Sequence, residues 1–396
     1  MEWDNFFSIY SLIYIPLILS TFISNLKTQK RVIFFWIIVL TLFRGLRWDL
    51  GTDWYWYEKS FNELDFSNFY KYITQDDGMV YKNLEAGWAL LMVLCKKLFG
   101  TYTSFLLASN FIILSIYYKI STFFNNNKPI VCFVSIVASA NFFPVRQDLA
   151  VAFFFLGFCF LAIAERKKHI VLNIVAYFCH QSAIVLLPIS LFLQKFFLKY
   201  KVVFILMIAA FIFGEYLIPV LMGFIVSHVG GSIGSVIAGY YYEYSHNNVL
   251  SDANYTNPIL PFILNMGFYS LFYISFKNMT ISHSYDMKQE SIIRIFKLNI
   301  NAFILYMLIH TIFLRTIESL ARLGSYLSIS QYILISLIIS WTKDKNKKNI
   351  YITILVCYLF YRYYKQLGYY PELMFPYHSI SVSYTHLRAH ETSAHL

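Results

Sequence analysis

The run PIVCFVSIVASANFFPVRQDLAVAFFFLGFCFLAIAERKK, Pro129 to Lys168, decides the class of this chain. Its apolar stretches, 129–143 and 147–164, flank Pro144 and Arg146, and the second ends on the basic cluster Arg166, Lys167 and Lys168. Apolar residues arriving in long uncharged runs, rather than in alternation, are the pattern of spanning helices and not of a transmembrane barrel. Working outward at ~20 residues per span, the same pattern predicts helices near 6–23, 31–45, 101–122, 202–221, 258–276, 298–314, 323–341 and 349–365. Two stretches are ambiguous. Ala86 to Phe99 is short, carries Lys96 and Lys97, and either crosses or lies along the membrane surface; His169 to Gln194 is either one steep span or two half-length helices meeting near His180. Composition agrees with the pattern: 58% hydrophobic and 13% charged residues, with a mean hydropathy of +0.54, leave too little polar surface to cover a soluble globule. The expectation is an all-α, polytopic transmembrane helix bundle of about 12 membrane segments, forming a single domain over residues 1–380.

The net charge of +11 would point to nucleic acid in a soluble protein. Here the basic residues sit in short clusters between apolar runs, which is the positive-inside signal, so no nucleic-acid partner is expected. If 86–99 does not cross and 169–194 folds back, then Lys27–Arg31, Lys128, Glu165–Lys168, Lys195–Lys201, Lys277–Lys297 and Lys343–Lys348 share one side. Both termini and two long loops, 45–85 and 222–257, then lie outside. The first of these loops is acidic, with Asp49, Asp53, Glu58, Glu63, Asp65, Asp76, Asp77 and Glu85 against Arg47, Lys59, Lys71 and Lys82. The first apolar run lacks a basic leader and a cleavage site and should stay as a helix. Cys95, Cys132, Cys159, Cys179 and Cys357 are scattered in apolar surroundings, which indicates neither a disulfide framework nor zinc. The final residues, SVSYTHLRAHETSAHL (381–396), turn abruptly polar and are expected to be a non-native tail, so His386, His390 and His395 are not read as a metal site.

Ionisable side chains at the ends of spans are candidates for function, because each costs several kcal/mol there unless it is paired or faces water. RGLRWDLGTDWYWY (44–57) brings Arg47 and Asp53 together with aromatic rings: guanidinium forks grip phosphate, and rings stack on sugar faces. The same residues also suit an interfacial belt with local Arg–Asp pairs. FFPVRQDLA (142–150) leaves Arg146 and Gln147 at a helix start, an anion site unless Arg146 pairs with Asp148 or an acid of the outer loop. YFCHQSAI (177–184) sets His180 in apolar surroundings, where it either activates a sugar hydroxyl or is a core residue bonded to Gln181 or Ser182. RTIESLARLGSY (315–326) places Arg322 four residues after Glu318, so that it either pairs with that acid or points into a cleft. No DxD, Walker or Rossmann signature occurs, which leaves nucleotide-sugar chemistry unsupported and a dedicated metal centre unexpected.

Taken in order, RWDLGTDWY (47–55), EAGWALL (85–91), VRQDLAV (145–151), FCHQSAIVLLP (178–188) and RLGSY (322–326) resemble the EpsG/Wzy family of bacterial exopolysaccharide and O-antigen polymerases. The resemblance runs from about residue 1 to Tyr377. It implies a bundle similar to C-type glycosyltransferases in the bacterial cytoplasmic (inner) membrane, with its active face outward. The implied activity is transfer of a glycan from a polyprenyl-pyrophosphate carrier to a lipid-linked acceptor repeat, without cofactor. Membrane lipids, a flippase and a chain-length regulator are the implied partners. By position, Arg47, Arg146 and Arg322 would hold the pyrophosphate, His180 or Asp53 would orient or deprotonate the acceptor hydroxyl, and Gln147 and Glu85 would line the substrate. The rival readings are an O-antigen ligase or other outer-face transferase, a lipid-linked glycan exporter, and a scaffold whose arginines bind lipid phosphates.

Overall fold

The structure is a computed structural model that describes residues 8–51, 53–74, 84–124, 127–228, 259–281, 287–313, 321–368, 371 and 374–380. Among these residues every regular element is helical, and the extended pairing between Arg47 and Ser379 is an isolated antiparallel bridge. In chain order the α-helices are α1 (Ile9–Leu19), α2 (Leu26–Gly45), α3 (Trp54–Glu63), α4 (Phe69–Thr74), α5 (Ala86–Phe99), α6 (Tyr102–Thr122), α7 (Pro129–Ser139) and α8 (Arg146–Ala162). They continue as α9 (Arg166–Cys179), α10 (Ala183–Phe192), α11 (Tyr200–His228), α12 (Ile259–Ile281), α13 (Met287–Phe313), α14 (Ser325–Trp341) and α15 (Lys345–Leu367). Among the described residues, four helical stretches are long and apolar enough to cross a membrane: Tyr102–Thr122, Ile259–Met279, Ser291–Phe313 and Arg322–Trp341.

Several expected spans change shape. The span expected over 129–143 stops at Ser139, and residues 140–145 form an irregular break before α8. Pro144 disfavours helix in the residue before it, and the carbonyls that the break exposes are met from α15. Arg362 Nη2 donates to Ser139 O at 3.3 Å and Gln366 Nε2 to Ala140 O at 2.7 Å. The stretch 169–194 is two helices, α9 and α10, meeting at His180–Ser182. The ambiguous stretch 86–99 is a helix along its whole length, ended by Gly100 at φ +75°, a conformation that costs glycine little. In the stretch expected as a second long loop, α11 runs on to His228, while Gly230, Gly231 and Gly234 lie outside the described residues, as does 381–396.

The chain divides into two compact units. The first comprises residues 1–187 and 335–396. There α1 turns Tyr10, Tyr14, Leu17 and Ile18 inward at helical spacing, and these four residues are fully buried. Tyr14 stacks on Tyr363 of α15 at 5.7 Å and meets Phe142 of the break at 4.8 Å, while Ser11 Oγ and Tyr363 Oη share a 2.7 Å hydrogen bond. The second unit, 188–334, is built on α11, α12 and α13. Within it Tyr200 stacks on Tyr269 at 5.6 Å, and Asn301 Nδ2 donates to the carbonyls of Leu193 at 2.8 Å and Phe196 at 2.5 Å.

Candidate active site

The loop after α2 is pinned to its neighbours by α3. Trp54, Tyr57 and Phe61 recur every three or four residues, lie on one face of the helix, and are buried. Trp54 meets Tyr102 at 5.6 Å, Tyr57 meets Trp88 at 5.6 Å, and Phe61 meets Tyr102 at 5.7 Å. Burial of an aromatic ring contributes roughly 1.5–3 kcal/mol, so these contacts suffice to dock the loop. The rings that the sequence offered for sugar stacking are therefore divided. Trp54 and Tyr57 are committed to packing, whereas Tyr55 (56% exposed) and Trp56 (37%) face outward. The end of the loop is held by Lys96, whose Nζ donates to Asn62 O at 2.7 Å and Leu64 O at 2.9 Å.

Docking α3 brings residues from four places in the chain to one point. Glu85, at the start of α5, is buried, and its Oε2 accepts from Arg146 Nη1 at 2.7 Å across 61 positions of sequence. The other oxygen, Oε1, accepts from the Gln181 backbone N–H at 3.4 Å, at the break between α9 and α10. Arg146 opens α8 and keeps its side chain 32% exposed, so it is paired yet reachable. The Tyr57 phenol and Asp53, which precedes α3, are close enough to act on the Arg146 charge. Burial pushes the Tyr57 phenol upward against the opposing pull of Arg146, so it stays protonated at neutral pH. Glu85, at the end of the loop after α2, rather than Asp148, thus partners Arg146; Asp148 instead caps α8, its Oδ2 accepting from Val145 N–H at 3.0 Å.

His180 lies at the same break, half-buried. Its Nδ1 is 2.7 Å from Ser182 Oγ and 3.3 Å from the Ser182 N–H, which fixes Nδ1 as an acceptor of the backbone proton. The close approach that places it is made by Gly87, where a Cβ would lie 2.8 Å from Phe178 O. Gln147 is half-buried next to Arg146. Arg47 is 3% exposed, its guanidinium stands 4.7 Å over the Phe143 ring, and burial lowers its pKa to about 10, which leaves it charged at neutral pH. Arg322 belongs to the second unit, exposed in the 3₁₀ turn Arg322–Gly324 before α14; Arg315 and Glu318, its companions in the motif, lie outside the described residues. Among the described residues no group of three or more His, Cys, Asp and Glu is placed to hold a metal ion.

The pattern of the EpsG family matches residues 30–379, a stretch that takes in Arg47, Asp53, Glu85, Arg146, His180 and Arg322. The chain belongs to the EpsG family. That family includes polysaccharide polymerases, and with the apolar helices it makes this chain a membrane protein of the polysaccharide-polymerase type. No curated protein and no solved structure matches the chain. In this EpsG-family chain, reading of the sequence passed over Tyr57 and the Gln181 backbone. The first looks like one ring among several in WYWY, and a backbone donor has no signature. Tyr57→Phe keeps the ring on Trp88 but removes the phenol oxygen beside the Arg146 charge. Shorter glycan at unchanged protein level is the expected outcome, read on a gel of surface polysaccharide; full-length glycan would show that the hydroxyl plays no part.

Proposed function

We propose that this protein polymerises lipid-linked repeat units at the outer face of the bacterial cytoplasmic membrane, within a bundle of about 12 membrane segments similar to C-type glycosyltransferases. The supporting observation is the partly exposed Arg146, held by Glu85, which also accepts from the Gln181 N–H at the His180 break, with Tyr57 and Asp53 near its charge. An acceptor hydroxyl on the non-reducing sugar of one lipid-linked repeat attacks the anomeric carbon of the glycan carried by a polyprenyl pyrophosphate. The new glycosidic C–O bond forms as the bond from that carbon to the pyrophosphate oxygen breaks, and the carrier leaves with the electron pair. Asp53 receives the hydroxyl proton and His180, whose Nδ1 is engaged by Ser182, orients the hydroxyl through its Nε2–H, while Arg47 and Arg146 stabilise the charge that develops on the pyrophosphate. Arg322 is carried as a third phosphate ligand by its place in the family pattern alone. A flippase that delivers repeats and a chain-length regulator are the partners this activity calls for.

Glycan length in a deletion host tests the reading. Wild type is expected to restore long polymer, and His180→Ala at matched membrane level to leave mostly single lipid-linked repeats. Repeats that never reach the outer face in the deletion host would make the protein an exporter. Intact polymer transferred to no final acceptor would make it a ligase.

A further inference from the structure

Arg44 and Arg47 stand three residues apart across the end of α2, and both are buried, at 0% and 3% exposure. Arg44 Nη2 donates to Tyr14 Oη at 2.9 Å, and Arg47 Nη1 reaches Arg44 O at 3.5 Å. The remaining donors are unmet: Arg44 Nε, Arg44 Nη1 and Arg47 Nε have no hydrogen-bond partner among the described residues. Neither guanidinium is within ion-pairing distance of a carboxylate there. Asp148 is the acid whose charge reaches Arg44, and it is engaged by the Val145 N–H. Around Arg47 the groups that act on its charge are the phenols of Tyr102, Tyr377 and Tyr10 and the like-charged Arg44. Two buried guanidinium groups that act on each other's charge and keep donors unmet are costly unless an anion completes them. A group with several charged oxygens fits two planar forks better than a single carboxylate does.

One segment lies across this place. Tyr377 Oη donates to Phe43 O at 2.6 Å and its ring stacks on Phe43 at 4.9 Å. Trp48 N–H donates to His378 O and Ile380 N–H to Leu46 O, both at 3.0 Å, on either side of the Arg47–Ser379 bridge. Tyr10 Oη donates to Met374 O at 2.8 Å. With the rings of Phe375 and Tyr377 against Tyr10, these ties come from the end of α2 and from α1, and among the described residues the segment makes no ion pair, so it can lift without unpacking a helix.

We propose that Arg44 and Arg47 form the buried part of a site for a phosphate or pyrophosphate group, and that residues 374–380 are the strap that closes over it. The proposal rests on the polymerase reading for its occupant, the pyrophosphate of the lipid carrier, and adds Arg44 and the strap to the residues that hold it.

The test uses the full chain in nanodiscs, with inorganic pyrophosphate as the probe against chloride at matched ionic strength, read as the shift of the thermal-unfolding midpoint. Pyrophosphate is expected to raise the midpoint of wild type, and Arg44→Gln to weaken the apparent affinity at least tenfold; an undiminished shift in that variant overturns the site. Arg44→Lys, which keeps the buried charge, should retain part of the response even if Arg44→Gln folds poorly. Leu46→Cys/Ile380→Cys, made with Cys357→Ser, leaves both arginines intact. Oxidised, it should lose the response, and reductant should restore it; an equal response in both forms overturns the strap. Discs loaded with polyprenyl pyrophosphate separate the sources: loss of the soluble ion's effect marks the lipid-linked group as occupant, and an unchanged effect marks the free ion. Complementation separates this proposal from the reading beneath it. Long polymer from an Arg44→Gln protein that no longer binds pyrophosphate overturns the site's role and leaves the polymerase standing. Pyrophosphate binding that depends on Arg44, in a protein that lengthens no glycan, supports the site and removes the polymerase.

Discussion

Arg146→Ala is expected to leave a deletion host with single lipid-linked repeats where wild type gives long polymer. A donor aimed at charge that develops in a transition state typically contributes 10²–10³-fold in rate, about 2.7–4 kcal/mol, and polymerisation compounds such a loss at every cycle. The same substitution strands Glu85, whose side chain is only 7% exposed, so loss of activity alone does not separate a ligand from a structural partner. The exchange Glu85→Arg with Arg146→Glu does. If the pair matters only as a clasp between the start of α5 and the start of α8, the swapped pair restores polymer. If Arg146 holds pyrophosphate, the swap keeps the clasp and polymer stays short. The second outcome is expected, because Arg146 is the exposed member of the pair at 32%.

Glu85→Gln has the other large effect. Its carboxylate joins Arg146, through a 2.7 Å bond, to the Gln181 N–H at the His180 break. Removing one member of a buried pair commonly costs about 3–5 kcal/mol, and less is expected here because Arg146 is partly solvated. An amide keeps a carbonyl acceptor but removes the counter-charge, so the Arg146 guanidinium gains freedom to swing toward solvent. Polymer is expected to shorten sharply while protein remains in the membrane, and Glu85→Asp, which keeps the charge on a shorter arm, to recover part of the length. Equal polymer from Glu85→Gln and wild type would show that the charge of the pair is irrelevant. Gel profiles of surface glycan at matched immunoblot levels read both results.

Legibility of the fold follows from how far apart the deciding groups lie. The helical class and the α6, α8, α12 and α14 stretches come from local patterns, apolar run length and Pro144, whereas the break near His180 was one of two alternatives, favoured because it places the basic clusters on one side. The early end of α7 was less legible, because whether a helix yields to a nearby proline depends on who satisfies the freed carbonyls, and the donors, Arg362 and Gln366, come from the other end of the chain. Arg146 as an anion site and Glu85 as its neighbour were each readable as unusual charges. That they touch was not, since a contact across 61 positions leaves no trace in periodicity.

By itself, then, the sequence determined that this chain is a helical membrane protein with charged residues gathered at helix ends, because the cost of exposing backbone and charge to lipid is written residue by residue. Only the tertiary structure decided which of those charges are answered and which are not. Arg146 met Glu85, Trp54 and Tyr57 turned from sugar-stacking candidates into packing, and Arg44 and Arg47 were buried under residues 374–380 with donors left over. Partnership of a charge is a property of the space around it, fixed when distant segments close, and no stretch of chain carries it alone.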